Sequence, residues 1–251
     1  MTSTEYDPEL YHLLHRGNPG DLRWYRQRCA GAQRILELGC GDGRLLVPLA
    51  QDGAQVVGVD ASKAMLARCA ERFHRAGLRA ELVCGDMSAF ALPWRFDRVL
   101  IPYNSLYCLT THSAQLACLK AVANHLEPGG QLLLDAYAAD PVAAGEAAAE
   151  PVAEHVVALF HDGDRQVEVR ERSEEQPDQQ LINATYDYHL ISGDGTYSLQ
   201  SWSILQRYVF PHQMRQLVDQ AGLVLEAVYG DFDQTPFTDV SAQMVLVASK
   251  L

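Results

Sequence analysis

The sequence contains no uninterrupted apolar run near the roughly 20 residues that a bilayer-spanning helix needs. Its first residues, MTSTEYDPEL, lack the basic and apolar blocks of a secretory leader. These two absences predict a soluble chain kept in the cytoplasm, with no membrane partner. The six cysteines, at positions 29, 40, 69, 84, 108 and 118, show no C-x-x-C spacing. Reduced and mostly buried thiols are therefore expected, with no disulfide framework and no metal. Basic residues are scarce, since 20 Lys and Arg face 32 Asp and Glu for a net charge of −12. Polyphosphates are held mainly by Lys and Arg, so nucleic acid is a disfavoured partner. The densest basic run, ARCAERFHRAGLR, spaces Arg68, Arg72 and Arg75 as the solvated stripe of an amphipathic helix.

What is present is a chain of 251 residues, 48% of them hydrophobic, enough for a substantial core. Pro8 and Asp21, on either side of the Gly17-Asn18-Pro19 break, predict two short N-terminal helices, the second capped by Asp21. Apolar strand patterns then alternate with helical ones. RILEL, QVVGVD, AELVCG, FDRVLIP and QLLLDAY read as strands, with helices over Gly43–Asp52, Ser62–Ala76 and His112–Leu126. Strands joined by helices of this length predict an α/β fold with a doubly wound, mostly parallel sheet. Pro48 falls inside the first of these helices, which predicts a kink or a late start.

The rhythm changes after Asp140. An Ala- and Glu-rich segment, PVAAGEAAAEP, leads into HVVALFHDGD, RQVEVRERSE, LINATYDYHLI and TYSLQSWSILQRYVF, punctuated by Asp162-Gly163-Asp164, Pro177-Asp178 and Gly193-Asp194-Gly195. Hairpin strands without helices between them form an antiparallel insert. His155 and His161, six apart in one strand pattern, are expected to share a face, but no further ligand spacing supports a metal there. A helix over His212–Ala221 and the strands LVLEAVYG and AQMVLVAS restore the α/β alternation. The domains expected are 1–140 with 208–251, and the insert 141–207.

Between the first strand and helix lies ILELGCGDGRLLVPLA, in which Gly39, Gly41 and Gly43 alternate one by one behind Glu37. Glycines at such a junction permit a positive-φ turn and close approach of a ligand to the backbone. A dinucleotide fingerprint needs its third glycine at position 44, which is Arg44, so the nicotinamide reading is weakened. Asp60 closes the second strand, where a carboxylate can accept from two ribose hydroxyls. Asp86 and Met87 follow the third strand, and Pro102-Tyr103-Asn104 the fourth.

The G-x-G-x-G turn behind Glu37, with these residues in order on successive strands, resembles the class I S-adenosylmethionine-dependent methyltransferases. That resemblance implies a Rossmann-like, seven-stranded sheet and S-adenosylmethionine as cofactor, with S-adenosylhomocysteine as product. It implies cofactor contacts from Tyr25, Glu37, Gly39, Cys40, Gly41, Asp60, Ala61, Met65, Asp86, Met87, Pro102 and Asn104. Asp60 would serve the ribose, Asp86 the adenine amino group with Met87 over the ring, and Asn104 the sulfonium. The alternatives for the same turn are an NAD-dependent oxidoreductase and a non-catalytic S-adenosylmethionine-binding protein.

The Asn-Pro-Pro-Tyr signature of one amino-group branch is missing, since residues 101–104 read Ile-Pro-Tyr-Asn. YNSLYCL and the insert instead resemble the small-molecule branch with glycine N-methyltransferase, the amino-sugar N-methyltransferases and the toxoflavin-type enzymes. The insert there is a lid over the acceptor, so a small-molecule acceptor with a nitrogen is expected, on a monomer or homodimer. Tyr11 and Asn104 are the catalytic candidates. Candidate acceptor residues are Tyr11, Tyr107, Arg170, Tyr186, Trp202, Tyr208, Tyr229 and Phe232, although strand aromatics also serve ordinary sheet packing.

Overall fold

The computed structural model describes residues 7–139 and 152–250, so the Ala- and Glu-rich segment lies outside the described residues. Two compact units are formed, one from residues 16–139 with 209–250 and one from 7–15 with 152–208. Among the described residues, no helix is long and apolar enough to cross a membrane.

The larger unit is the expected α/β structure. Its strands are β1 (Arg34–Leu38), β2 (Gln55–Asp60), β3 (Glu81–Cys84), β4 (Phe96–Ile101), β5 (Leu126–Tyr137), β10 (Val224–Tyr229) and β11 (Gln243–Ser249), in the order β10-β11-β5-β4-β1-β2-β3. Pairing is parallel from β5 across to β3, and β11 runs antiparallel to β5 and β10. The carboxyl ends of β1, β2, β3, β4 and β5 therefore line one edge, where such sheets bind ligands. Helices α2 (Asp21–Arg28), α3 (Leu46–Gln51), α4 (Lys63–Arg75), α5 (His112–His125) and α6 (Pro211–Gln220) belong to this unit. Ser62 caps α4 by accepting from the Met65 N–H, and Met65, Leu66, Cys69 and Phe73 form its buried stripe. Ile35, Leu46, Leu100, Leu133 and Val245 share the core with Trp24 and Tyr25 of α2, each such side chain contributing about 1.5–3 kcal/mol on burial.

Two local expectations are corrected. Helix α3 starts at Leu46, not Gly43, which is the late start expected from Pro48, and Gly43 belongs to the preceding turn with φ +80°. Pro48 thus stands in the first helical turn, where its missing N–H would have had no intrahelical partner. Asp21 does not cap α2. Gly20 holds the cap position with φ +85°, and Asp21 is the first helical residue with its carboxylate committed elsewhere.

The smaller unit is a four-stranded antiparallel sheet in the order β6-β7-β8-β9, formed by Val152–Asp162, Arg165–Gln176, Leu181–Ile191 and Tyr197–Arg207. Its turns fall where Gly163-Asp164, Pro177-Asp178 and Gly193–Gly195 were expected. Val167, Val169, Tyr188, Leu190 and Trp202 make its core, and α1 (Pro8–Leu14) adds Leu10 to them. That burial places the first helix with the insert and not in a domain spanning 1–140. A bulge at Val157 shifts the β6–β7 register between Val156 and Ala158. His155, opposite Glu171, and His161, opposite Gln166, therefore lie on opposite faces, contrary to expectation.

Candidate active site

The three glycines all have positive φ, of +70°, +53° and +80°, yet space around them differs. A Cβ at Gly39 would stand 2.7 Å from Ser105 Oγ, and one at Gly43 2.6 Å from Cys69 Sγ. These two glycines let a loop and a helix close on the turn. Only Gly41 has a looser surround, its nearest neighbour being the flexible Met65 Cε at 3.3 Å. From beneath, Asp42 is buried and paired with Arg72 at 2.7 Å and Arg68 at 3.7 Å, and Arg72 also reaches the Asp42 carbonyl. Two members of the supposed solvated stripe thus brace the turn, while Arg75 pairs with Glu71 on the surface.

Carboxylates surround this turn. Asp60 accepts from the Gly41 N–H and the Ser62 N–H, each at 2.8 Å, which fixes its side chain at the end of β2. Burial raises its pKa above the ordinary range, and the two N–H donors pull it back. Asp86 is exposed, and its Oδ1 accepts from the Ser88 N–H and hydroxyl in a short turn. Glu37 is 3% exposed and its Oε2 has no hydrogen-bond partner. Burial lifts its pKa well above the ordinary range, Arg44 opposing the shift.

Beyond β4, Tyr103 and Asn104 both adopt left-handed backbone, with φ of +52° and +63°. The Asn104 Oδ1 accepts from the Tyr137 N–H at 2.7 Å. Asp135, buried near the end of β5, accepts at Oδ1 from the Tyr25 hydroxyl at 2.6 Å and the Tyr103 N–H at 3.0 Å. Burial pushes Asp135 up to about 6, even though Tyr25 and Tyr103 favour its charged form.

A methyltransferase-domain family profile matches residues 35–130, the span from β1 into β5 that carries all of these groups except Tyr25, Asp135 and Tyr137. The cypemycin N-terminal methyltransferase of a Streptomyces species is 28% identical over 220 residues, 86% of this chain and 82% of that protein. The CcbJ methyltransferase of Streptomyces caelestis superposes with a TM-score of 0.78 at 25% identity, covering 98% of this chain and all of its own. Residues 35–130 form a methyltransferase domain, and the chain is an S-adenosylmethionine-dependent methyltransferase. The glycopeptide N-methyltransferase MtfA, solved with S-adenosylmethionine, has 26% identity and a TM-score of 0.58 over 94% of each chain. The side chains of this methyltransferase fit that cofactor. Glu37 offers a buried, unpartnered oxygen to a cation, Gly41 has only the flexible end of Met65 beside it, and Asp60 is held as an acceptor for hydroxyls. When bound, the cofactor supplies an electrophilic methyl group on a sulfonium.

The remaining candidates divide between the two units. Cys40 and Met65 are buried beneath the turn, Ala61 is exposed after β2, and Pro102 is buried in the loop after β4. Cys29, Cys40, Cys69 and Cys118 are free and buried, and Cys84 and Cys108 free and exposed. Tyr25 is fully buried, with its hydroxyl on Asp135. Tyr107 is buried too, and its hydroxyl donates toward the Tyr137 and Val209 carbonyls. Tyr229 bonds Arg28, and Phe232 packs against Trp24 and Tyr25. In the antiparallel unit the Tyr11 and His15 rings lie 4.2 Å apart at a tilt of 37°, and His15 meets Tyr186 edge-on. Trp202 stacks on Tyr188 with ring centroids 4.0 Å apart, Tyr208 is buried, and Arg170 pairs with Glu154 and Glu168.

Asp135 and the Arg44–Asp21 pair were not foreseen. The sole acid in QLLLDAY was a signal for the first, since an acid inside a buried parallel strand demands partners. Arg44 reaches Asp21 at 2.7 Å, and the Asp21 side chain is only 5% exposed. Arg44→Ala is expected to destabilise the protein by about 3–5 kcal/mol, because Asp21 would be left buried and unpaired. Urea unfolding at neutral pH measures this, and a loss below about 1 kcal/mol would show the pair to be solvated.

Proposed function

We propose that this methyltransferase transfers the methyl group to a nitrogen of a small-molecule acceptor. What carries this reading is the relationship, along most of the chain, to a protein named as an N-terminal methyltransferase. The name of the glycopeptide N-methyltransferase supports it as well. Displacement at a sulfonium methyl needs a nucleophile held in line about 3 Å from carbon, with water kept away. A neutral amine attacks unaided once it has lost its proton, so placement and desolvation carry most of the rate. The antiparallel sheet, inserted in the chain after β5, is the proposed acceptor lid, with Tyr11, Tyr186, Trp202 and Tyr208 as the side chains to examine first.

Chemically, the chain's own residues would work as follows. Asp60 and Asp86 hold hydroxyl and amino donors, Glu37 attracts a cation, and the Tyr103–Asn104 backbone shapes the edge where the reaction occurs. Release of S-adenosylhomocysteine, followed over a panel of small amines, amino sugars, peptide N-termini, phenols and alcohols, tests the proposal. Turnover is expected only with nitrogen acceptors, with kcat/KM rising with pH as the amine deprotonates. Equal or faster turnover of a phenol or an alcohol would overturn it.

A further inference from the structure

We propose that Asp135 is a positioning residue for methyl transfer, holding Tyr103 and Asn104 in the left-handed conformation that sets the loop after β4 against the glycine turn. Two successive non-glycine residues with positive φ are rare and persist only where the surroundings impose them. One residue imposes both. Asp135 takes the Tyr103 N–H on its Oδ1 at 3.0 Å and the Asn104 N–H on its backbone carbonyl at 3.1 Å. Just beyond, Ser105 lies within 2.7 Å of where a Gly39 Cβ would be, so the held loop is seated on the cofactor turn itself. A shift of Tyr103 or Asn104 therefore moves the wall of the cofactor site.

The same carboxylate is itself held in place. Its Oδ2 accepts from Asn18 Nδ2 at 3.3 Å, and the Asn18 N–H bonds Asp21 Oδ2 at 3.1 Å. Asp21 pairs with Arg44, whose guanidinium lies 5.9 Å from the Tyr103 ring centroid. The contacts form a closed circuit from Asp135 through the start of α2 and the glycine turn back to the loop. Tyr25 completes it from the core through the hydrogen bond to Oδ1. Nothing in the circuit requires Asp135 to touch the cofactor or the acceptor, since both of its oxygens already have partners within the protein.

The inference rests on the cofactor site and is independent of which atom accepts the methyl group. S-adenosylhomocysteine is the probe, titrated calorimetrically into wild-type, Asp135→Ala, Asp135→Asn and the double variant Asp135→Ala/Tyr103→Gly, alongside amide hydrogen exchange. Binding by the wild type is the control, and its failure would count against the cofactor reading and not against Asp135. Asp135→Ala is expected to bind about tenfold or more weakly, with faster exchange confined to residues 103–107. Asp135→Asn keeps an oxygen for the Oδ1 donors and should bind within about threefold of wild type. Glycine tolerates positive φ without support, so the double variant should regain at least about threefold of the lost affinity. Restored binding marks a positioning role, since a general loss of stability would not be relieved by Tyr103→Gly. Folded Asp135→Ala with unchanged affinity and loop exchange would overturn the proposal, as would no recovery in the double variant. Should Asp135→Ala fail to fold, Asp135→Asn decides, and a loss of about tenfold or more in that variant would overturn it.

Discussion

Glu37→Gln is expected to stabilise the free protein at alkaline pH and to weaken its hold on S-adenosylmethionine. The carboxyl group is almost wholly buried at the carboxyl end of β1, with one oxygen unpartnered. Burial raises its pKa in the folded state, so the native protein binds this proton more tightly than the unfolded chain does. Stability then falls as pH rises from the ordinary glutamate range toward the raised value, because ionisation is easier after unfolding. Glutamine cannot ionise, which removes that penalty. A gain of about 1–3 kcal/mol is expected near pH 8, the size of a buried unsatisfied group, and little gain near pH 4.5. Cofactor binding should fall about tenfold or more, since a charged oxygen facing a cation is lost. Urea unfolding at the two pH values and calorimetric titration measure both effects. A variant that is less stable near pH 8, or that binds the cofactor as tightly as wild type, would contradict this account. On the proposed reading, the unpartnered acid is a stability loss kept for a ligand, as is common at functional sites.

Asp60→Ala is expected to abolish useful cofactor affinity. Two backbone N–H donors, from Gly41 and Ser62, fix the carboxylate at the end of β2. A vicinal diol donating two charge-assisted hydrogen bonds to it gains about 1.5–3 kcal/mol from each. Losing both corresponds to about 100-fold or more in the dissociation constant, at about 1.4 kcal/mol per factor of ten. The substitution also leaves the Gly41 and Ser62 N–H groups without their acceptor, loosening the turn. Asp60→Asn keeps one oxygen and should lose only about tenfold. Because burial raises the Asp60 pKa, wild-type affinity should begin to decline at a higher pH than a solvent-exposed aspartate would dictate. Calorimetric titration with S-adenosylhomocysteine gives these ratios. Affinity of Asp60→Ala within about threefold of wild type would place the diol elsewhere.

The features legible in the sequence were those set by neighbours along the chain. Alternating apolar runs and helical stripes identified the strands and helices, and the order of the glycine turn, Asp60, Asp86 and Asn104 on strand ends identified the cofactor. Even within these elements, the sequence did not say which glycine served what. Gly39 and Gly43 make room for Ser105 and Cys69, residues 66 and 26 positions away, whereas Gly41 has only the flexible end of Met65 beside it. Asp21 looked like a cap because its local context suits one, yet Arg44 draws its carboxylate away. The basic helical stripe looked solvated because Asp42, the partner of Arg68 and Arg72, is brought to it only by folding.

By itself, then, the sequence determined the class of fold, the methyl donor and the residues on successive strand ends, because hydrophobic period and turn chemistry act over a few residues. Only the tertiary structure decided that Tyr25 serves Asp135, that Asp135 holds two strained residues 31 and 32 positions earlier, and that α1 packs with the antiparallel sheet. Those choices depend on burial, which leaves a carboxylate or an aromatic ring no solvent and so makes distant partners compulsory.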